Sequence, residues 1–150
     1  MLSRPTTDQA LLGVVADLHD VILPKLGDEP AKVALQMIEQ VVRGAAVRAA
    51  HEIAWMHEEI AEIRAASAAV ADDPAVADAM AVLDGLDGAS LHLDDVVARY
   101  SAAGEVLSCA IEVAYRNGDT AAIDGLRDVL QRRSDREMQI VGALDLVGRG

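Results

Sequence analysis

The polar side chains that could do chemistry are densest in the middle of the chain, in the segment HEIAWMHEEIAE of residues 51–62. A zinc-binding helix needs two histidines four residues apart, so that both rings reach one ion. His51 and His57 are six residues apart and so about a third of a turn from each other. A di-iron carboxylate bundle needs a glutamate three residues before a histidine, and none of the four histidines has one. The spacing therefore predicts no metal ligands and no metal cofactor.

The same segment can form a surface instead. Its candidate residues fall in one stripe along a helix and are His51, Trp55, Glu58 and Glu62. The stripe is a solvated acidic helix end, a partner surface anchored by Trp55, or one wall of a ligand site assembled from several helices. Trp55 lies among charged residues, which suits an interface anchor, but packing against the first or last helix would suit it as well. The sequence leaves these alternatives open.

A second candidate group is the segment RRSDRE of residues 132–137, which contains Arg132, Arg133 and Arg136. Guanidinium groups bind carboxylate or phosphate through paired hydrogen bonds, so the group could bind an anionic ligand or an acidic partner helix. The preferred interpretation is internal ion pairing with the long helix, because the two groups are opposite in charge. The glutamates that could take part are Glu52, Glu58, Glu59 and Glu62.

Nucleophilic catalysis has no support in the motifs. The only cysteine, Cys109, lies on the apolar side of a helix-type pattern, where a buried thiol is expected rather than a nucleophile. The chain has no G-x-S-x-G elbow, no phosphate-binding loop and no G-x-G-x-x-G segment. We therefore predict no catalytic residue and no cofactor, and the sequence favours a protein that is not an enzyme.

Composition narrows the classes of fold and partner. Half of the 150 residues are apolar (52%), yet there is no Phe, one Trp and two Tyr, which favours closely packed helices over a β-sandwich. The formal net charge of −12 argues against nucleic-acid binding and against an anionic membrane surface. The opening segment lacks the apolar core of a signal peptide, and no apolar run is long enough to span a membrane. The prediction is a cytoplasmic protein.

The element that must position these groups is a helix predicted over residues 30–70, about 60 Å long at 1.5 Å per residue. Its apolar residues recur at threes and fours, as one buried face requires; they are Ala34, Ile38, Val41, Ala45, Ala49, Ile53, Met56, Ile60 and Ile63. Val33, Met37 and Val47 lie on another side. A helix that is apolar on two sides is typical of a central helix or of one shared between two protomers.

Four further helices flank it. The first begins at Thr6 or Thr7 and ends or kinks at Pro24; a short one follows Asp73-Pro74. The fourth runs from about Ser90 to Arg116, and its inward positions include Leu93, Val96 or Val97, Tyr100, Ala103 and Leu107. The last begins after Asp119, with Ile123, Leu126, Leu130, Val141 and Leu144 inward. The predicted fold is an all-α, antiparallel bundle of four main helices and one short helix, in a single domain of residues 1–150.

The opening of the chain, LLGVVADLHDVILPKL and the alanine- and valine-rich helix up to Arg43, resembles the start of a family of uncharacterised bacterial helical proteins. Those proteins are often encoded beside phosphotransferase-like and acyl-CoA dehydrogenase-like enzymes. The matching residues cover less than a third of the chain and are Leu11, Leu12, Val15, Leu18, Val21, Leu23, Pro24, Leu26 and Arg43. The resemblance implies an accessory role near an enzyme and carries over no catalytic residue.

Taken together, these patterns favour a non-enzymatic interaction protein that self-associates, as a dimer, through the helix of residues 30–70. The alternative is a small-molecule- or anion-binding bundle, which could also be catalytic, with a pocket near His51, Trp55 and the arginines of residues 132–136.

Overall fold

A computed structural model describes residues 4–142 of the chain. Within that range the chain forms five α-helices and no strand. The helices are α1 (Thr7–Asp17), α2 (Glu29–Ser67), α3 (Pro74–Asp84), α4 (Leu93–Asn117) and α5 (Thr120–Val141). The predicted all-α fold with one unusually long helix is confirmed, since α2 has 39 residues and a 3-10 turn over Ala68–Val70 extends it. None of the helices in residues 4–142 is long and apolar enough to cross a membrane.

Local signals set several helix ends. The Asp73 carboxylate accepts a hydrogen bond from the Ala75 amide at 3.0 Å, so it satisfies one of the unpaired amides at the start of α3. Gly118 ends α4 with a φ of 66°, a left-handed conformation that glycine adopts without a steric penalty. Asp119 then accepts from the Ala122 amide at 3.0 Å and begins α5. These three boundaries are the ones that the sequence predicts.

The first helix is shorter than predicted. α1 ends at Asp17, and a π-helical turn over Leu18–Ile22 and a 3-10 turn over Leu23–Lys25 follow it. Pro24 has no amide hydrogen to continue a regular helix. The chain before it does not leave the helix at once but forms the wider π-helical turn. This wider turn carries His19, whose Nδ1 lies 3.4 Å from Oε2 of the buried Glu39 in α2.

The described residues divide into two compact units. The first unit comprises residues 4–52 and 135–142, and the second comprises residues 53–134. The single domain of residues 1–150 stays a prediction. The second unit has one hydrophobic core drawn from α2, α3, α4 and α5, formed by Ile60, Ile63, Val70, Val76, Leu83, Ala103, Val106, Leu107, Ala110, Val113, Ala114, Ala122, Leu126 and Val129.

The predicted buried stripe of the long helix is right in the second unit and wrong in the first. Ile60 and Ile63 are buried, and Ile53 and Met56 are partly buried. The earlier members of the stripe are exposed; they are Ala34, Ile38, Val41, Ala45 and Ala49. In that half the side chains that the helix buries are Leu35, Glu39 and Ala46, a line about 100° around the helix from the stripe. The His19–Glu39 contact helps to fix that side inward.

Three smaller predictions of burial are also wrong. Leu93 is exposed on α4, and Leu130 and Val141 are exposed on α5, whereas of the two alternatives Val96 and Val97 it is Val96 that is buried. Each lies on or beside an apolar stripe, but the neighbouring helix covers only part of the stripe's width. Leu144, also predicted inward, lies outside the described residues.

Candidate interaction surface

The sequence-predicted site residues fall in both units. His51 and Arg136 belong to the first unit; Trp55, Glu58, Glu62, Arg132 and Arg133 belong to the second. Within the second unit two of the arginines form ion pairs with glutamates of α2. Arg132 Nε lies 3.1 Å from Glu62 Oε2, and Arg133 Nε lies 2.6 Å from Glu59 Oε1. These are pairs of the kind that the internal-pairing interpretation expects.

The Arg133 pair is the more buried of the two. The Glu59 side chain is only 4% exposed, and its Oε1 accepts hydrogen bonds from Arg133 and, at 3.0 Å, from the Tyr100 hydroxyl. The Arg133 guanidinium carbon lies 5.6 Å from the centre of the Tyr100 ring, within the range of a cation–π contact. A buried carboxylate is tolerated only when it is paired and hydrogen-bonded, and here both donors converge on one oxygen.

This arrangement raises the pKa of Tyr100 above its usual value, first because the phenol is partly buried and then because the negative charge of Glu59 disfavours a phenolate. Partial burial acts to lower the pKa of Arg133, but the hydrogen bond from Arg133 to Glu59 and the negative charge of Glu59 outweigh it, and the pKa is raised. Arg133 is therefore a positive charge held in place, and its guanidinium group already donates a hydrogen bond to Glu59 of the same chain.

The sequence predicts Glu59 only as one of four glutamates that could pair with the arginines, and Tyr100 only as an inward residue of α4; neither is a predicted site residue. The signal for Glu59 is its spacing, because it lies three residues after Met56 and four before Ile63, beside the apolar stripe. Tyr100 lies at a predicted inward position of α4. The sequence could therefore place both side chains near a core, but it could not pair them with each other across 41 residues.

No group of three or more His, Cys, Asp or Glu side chains in residues 4–142 is placed to hold a metal ion. Cys109 is partly buried and carries no disulfide. What the structure does show among the candidate residues of the second unit is two ion pairs with α2 glutamates, Arg132–Glu62 and Arg133–Glu59.

The first unit presents a different kind of surface, an apolar face on α2. Four large side chains on this face are exposed: Val33 (43%), Met37 (67%), Ile38 (52%) and Val41 (72%). Ala34 and Ala45 are exposed between and beyond them. We call these six residues, Val33, Ala34, Met37, Ile38, Val41 and Ala45, the α2 face.

A hollow of about 360 Å³ adjoins the α2 face; its lining comprises Gln40, Val41, Gly44, Ala45, Arg48, Ile140 and Val141. Gly44 lies where α2 and the end of α5 come together beside the hollow. A Cβ at this position would lie 2.8 Å from the Ile140 carbonyl oxygen. Only glycine lets α2 approach the end of α5 this closely without a shift of the backbone. The Gln40 amide donates a hydrogen bond to the Val141 carbonyl and ties the two helices together at the same place.

None of the six residues of the α2 face is charged, and the first charge on the same line of the helix is Arg48, which is ion-paired with Glu52. Residues 33–47 contain two charged side chains, Glu39 and Arg43. Glu39 is buried beside His19, and Arg43 lies about 170° around the helix from the centre of the face. An exposed helix surface of this length normally carries charged residues, so the α2 face has the composition of an interface core, from which charge is depleted.

The size of the patch can be compared with that of a dimer interface. Fully burying a Val, Ile or Met side chain removes about 60–120 Å² of apolar surface. The four large side chains of the α2 face, with the exposed Val141 of α5 that lines the hollow, therefore offer on the order of 300 Å². A stable interface buries about 800 Å² per partner, somewhat more than half of it apolar, so these five side chains supply about half of the apolar area required.

Comparison of the chain with protein-family models, with curated proteins and with solved structures finds no match. The case for a function therefore rests on the surface itself.

Proposed function

We propose that this protein is a non-enzymatic helical interaction module that self-associates as a dimer through its long helix. The observation that supports the proposal is the α2 face, above all Val41, which is 72% exposed in the middle of an uncharged apolar stripe. Large contiguous apolar patches on a folded chain mark interaction sites. The self-associating segment is the half of α2 that belongs to the first unit, between Val33 and Ala45.

The energetic argument follows from burial. The first unit leaves the α2 face in water, and removing about 300 Å² of apolar surface from water on each copy is worth on the order of 15 kcal/mol per dimer before the costs of association. Those costs are estimated at 4–15 kcal/mol for lost translation and rotation, with further losses for ordered side chains. The balance lies between zero and about 11 kcal/mol before side-chain ordering is subtracted, so we expect a reversible association rather than a permanent complex.

The direct test is the mass of the untagged protein in solution, by sedimentation equilibrium and native mass spectrometry from low to tens of micromolar. We expect a reversible monomer–dimer equilibrium with no additional bound mass. Val41→Gln should shift it strongly to the monomer, because the new amide would be buried without a partner at the interface. The helix itself should be unaffected, since glutamine is a good helix former.

Val82 supplies the matched control. It is a valine of α3 in the second unit and is 65% exposed, so Val82→Gln changes surface polarity to the same extent without touching the α2 face. The control should dimerise like the original chain. A chain that stays monomeric at every concentration, or a Val82→Gln variant that dissociates as fully as Val41→Gln, would overturn the proposal.

A further inference from the structure

We infer that the two α2 helices of the dimer cross in antiparallel orientation about a two-fold axis at Val41, and that Met37 of each copy enters the hollow of the other. The inference rests on the proposed self-association and adds its register. In a two-fold dimer the same patch meets itself, so the patch must be its own complement. The α2 face meets that condition only in one orientation.

The order of side chains along the α2 face is asymmetric. Its earlier turn carries the large Met37 and Ile38, and its later turn carries Gly44 and Ala45 beside the hollow. When antiparallel helices cross at residue 41, position 37 faces 45 of the other copy, and position 38 faces the turn at Gly44, where the end of α5 covers the helix. The large Met37 then lies opposite the small Ala45, and only Val41 meets its own counterpart, on the axis; alternation of large and small side chains is how packed layers interdigitate without voids.

A parallel pair of helices would give the opposite result. Met37 would face Met37 and Ala45 would face Ala45, so the large side chains would collide at one end while both hollows stayed empty. Overpacking and cavities each destabilise a packed interface. The parallel orientation is therefore disfavoured on shape alone.

Charge adds little to this choice. Arg48 lines the hollow at the later end of the α2 face, where its aliphatic stem can cover apolar surface. It is ion-paired with Glu52 at 2.7 Å, so repulsion between the two Arg48 side chains in a parallel pair would be partly balanced by the two Glu52 charges. Antiparallel helices place the two Arg48 side chains at opposite ends, opposite Ala34 of the other copy.

Methionine suits the role given to Met37. It is unbranched and flexible and fills irregular gaps, and at 67% exposure its side chain is available to a second copy. The hollow it would enter is lined by Val41 and Ala45 of α2 and by Ile140 and Val141 of α5. The end of α5 is therefore part of the interface, although the two helices that cross at the axis are the α2 helices of the two copies.

Cysteine cross-linking tests the register. In a Cys109→Ala background, Val41→Cys should form a disulfide-linked dimer under mild oxidation, because residue 41 of one copy faces residue 41 of the other across the two-fold axis. Met37→Cys and Ala45→Cys should not link alone, since identical positions lie about 12 Å apart along the axis, beyond the 4.4–6.8 Å that a disulfide allows between Cα atoms. A mixture of Met37→Cys and Ala45→Cys chains should link to each other.

The outcomes separate the inference from the function on which it rests. Efficient self-linking of Met37→Cys and Ala45→Cys in a dimeric sample would mean parallel helices and would overturn the register but not the self-association. A dimer in which none of these cysteines links would place the interface elsewhere and overturn the inference. A monomer would overturn both.

Affinity supplies a second measurement that does not depend on oxidation. Met37→Ala should weaken dimerisation by at least about tenfold, because it empties the hollow of the other copy. Leu91→Ala is the control, since Leu91 is 70% exposed in the second unit and should leave the dissociation constant unchanged. Equal dissociation constants for Met37→Ala and the original chain would rule out the proposed packing.

Discussion

The second unit packs the apolar side chains of four helices into one core, whereas the first unit leaves most of its own apolar side chains in water. Val15, Leu35 and Ala46 are the buried hydrophobic residues described in the first unit. Ten of its large hydrophobic residues are exposed, namely Leu12, Val14, Val21, Ile22, Val33, Met37, Ile38, Val41, Met138 and Val141. The same aliphatic composition thus makes a closed core in one unit and an open surface in the other.

The difference shows that α2 has two roles along its length. Its later part, with Ile60 and Ile63, contributes to a core that the chain completes by itself. Its earlier part carries the α2 face, which nothing in the described chain covers. A unit with so little buried apolar surface is expected to open more easily than its neighbour, and burial against a second copy would stabilise it.

The largest effect that would test this comparison is the loss of a core leucine. Leu83 is completely buried in the second unit and Leu12 is half exposed in the first. Leu83→Ala should lower the free energy of unfolding by about 2–5 kcal/mol, and Leu12→Ala by less than about 1 kcal/mol. Urea unfolding at one fixed protein concentration measures both, because dimerisation makes stability depend on concentration. Equal losses would mean that the two units are packed alike.

A smaller effect compares two neighbouring arginines of the second unit. Arg133→Met would take the guanidinium partner away from the buried Glu59 carboxylate; the loss is typically about 3–5 kcal/mol for a fully buried pair, and because the Arg133 side chain is 29% exposed we expect roughly 1–3 kcal/mol. Arg132→Met should cost less than about 1 kcal/mol, since the Arg132–Glu62 pair is partly exposed. Thermal and urea unfolding measure the difference.

The double variant Glu59→Met/Arg133→Met provides the control, because an apolar pair of similar volume removes the buried charge together with its partner. It should recover most of the stability that Arg133→Met loses. If Arg132→Met proves as costly as Arg133→Met, then burial of Glu59 is not the source of the effect.

The sequence predicts the elements of this fold better than their contacts. Asp73-Pro74 and Asn117-Gly118-Asp119 predict helix ends correctly because the reasons are local. The aspartates cap the helix starts, the proline ring fixes φ at the first helical position, and Gly118 adopts the left-handed conformation. Periodicity shows that Ile38 and Val41 lie on one side of a helix, but it does not show whether another helix covers that side. For this reason the stripe is right at Ile63 and wrong at Val41.

The same limit applies to the candidate site. Opposite charges predict that α5 arginines pair with α2 glutamates, but only the fold selects Glu59 for Arg133, across 74 residues. The role of Gly44 depends on the Ile140 carbonyl of another helix, so no pattern around Gly44 distinguishes it from other glycines in helices. The hollow beside the α2 face could not have been found without the structure.

The smallest effect is the ionisation of Tyr100, which tests whether the interior of the second unit is as closed as the packing indicates. Burial and the charge of Glu59 raise its pKa in the folded protein, above the value of about 10 for an unfolded chain. This group therefore contributes stability that is fully present below about pH 10 and is lost as the pH rises through the folded pKa.

Ultraviolet absorbance of the phenolate measures that ionisation. In a Tyr115→Phe variant Tyr100 is the only tyrosine, so the titration reports one group. We expect a midpoint above that of the same variant in urea, and a lower midpoint when Glu59→Gln removes the negative charge but keeps a hydrogen-bond acceptor. A folded midpoint equal to the unfolded one would mean that water reaches the phenol and Glu59. The second unit would then be open to water around these two polar side chains, and it would differ less from the first unit.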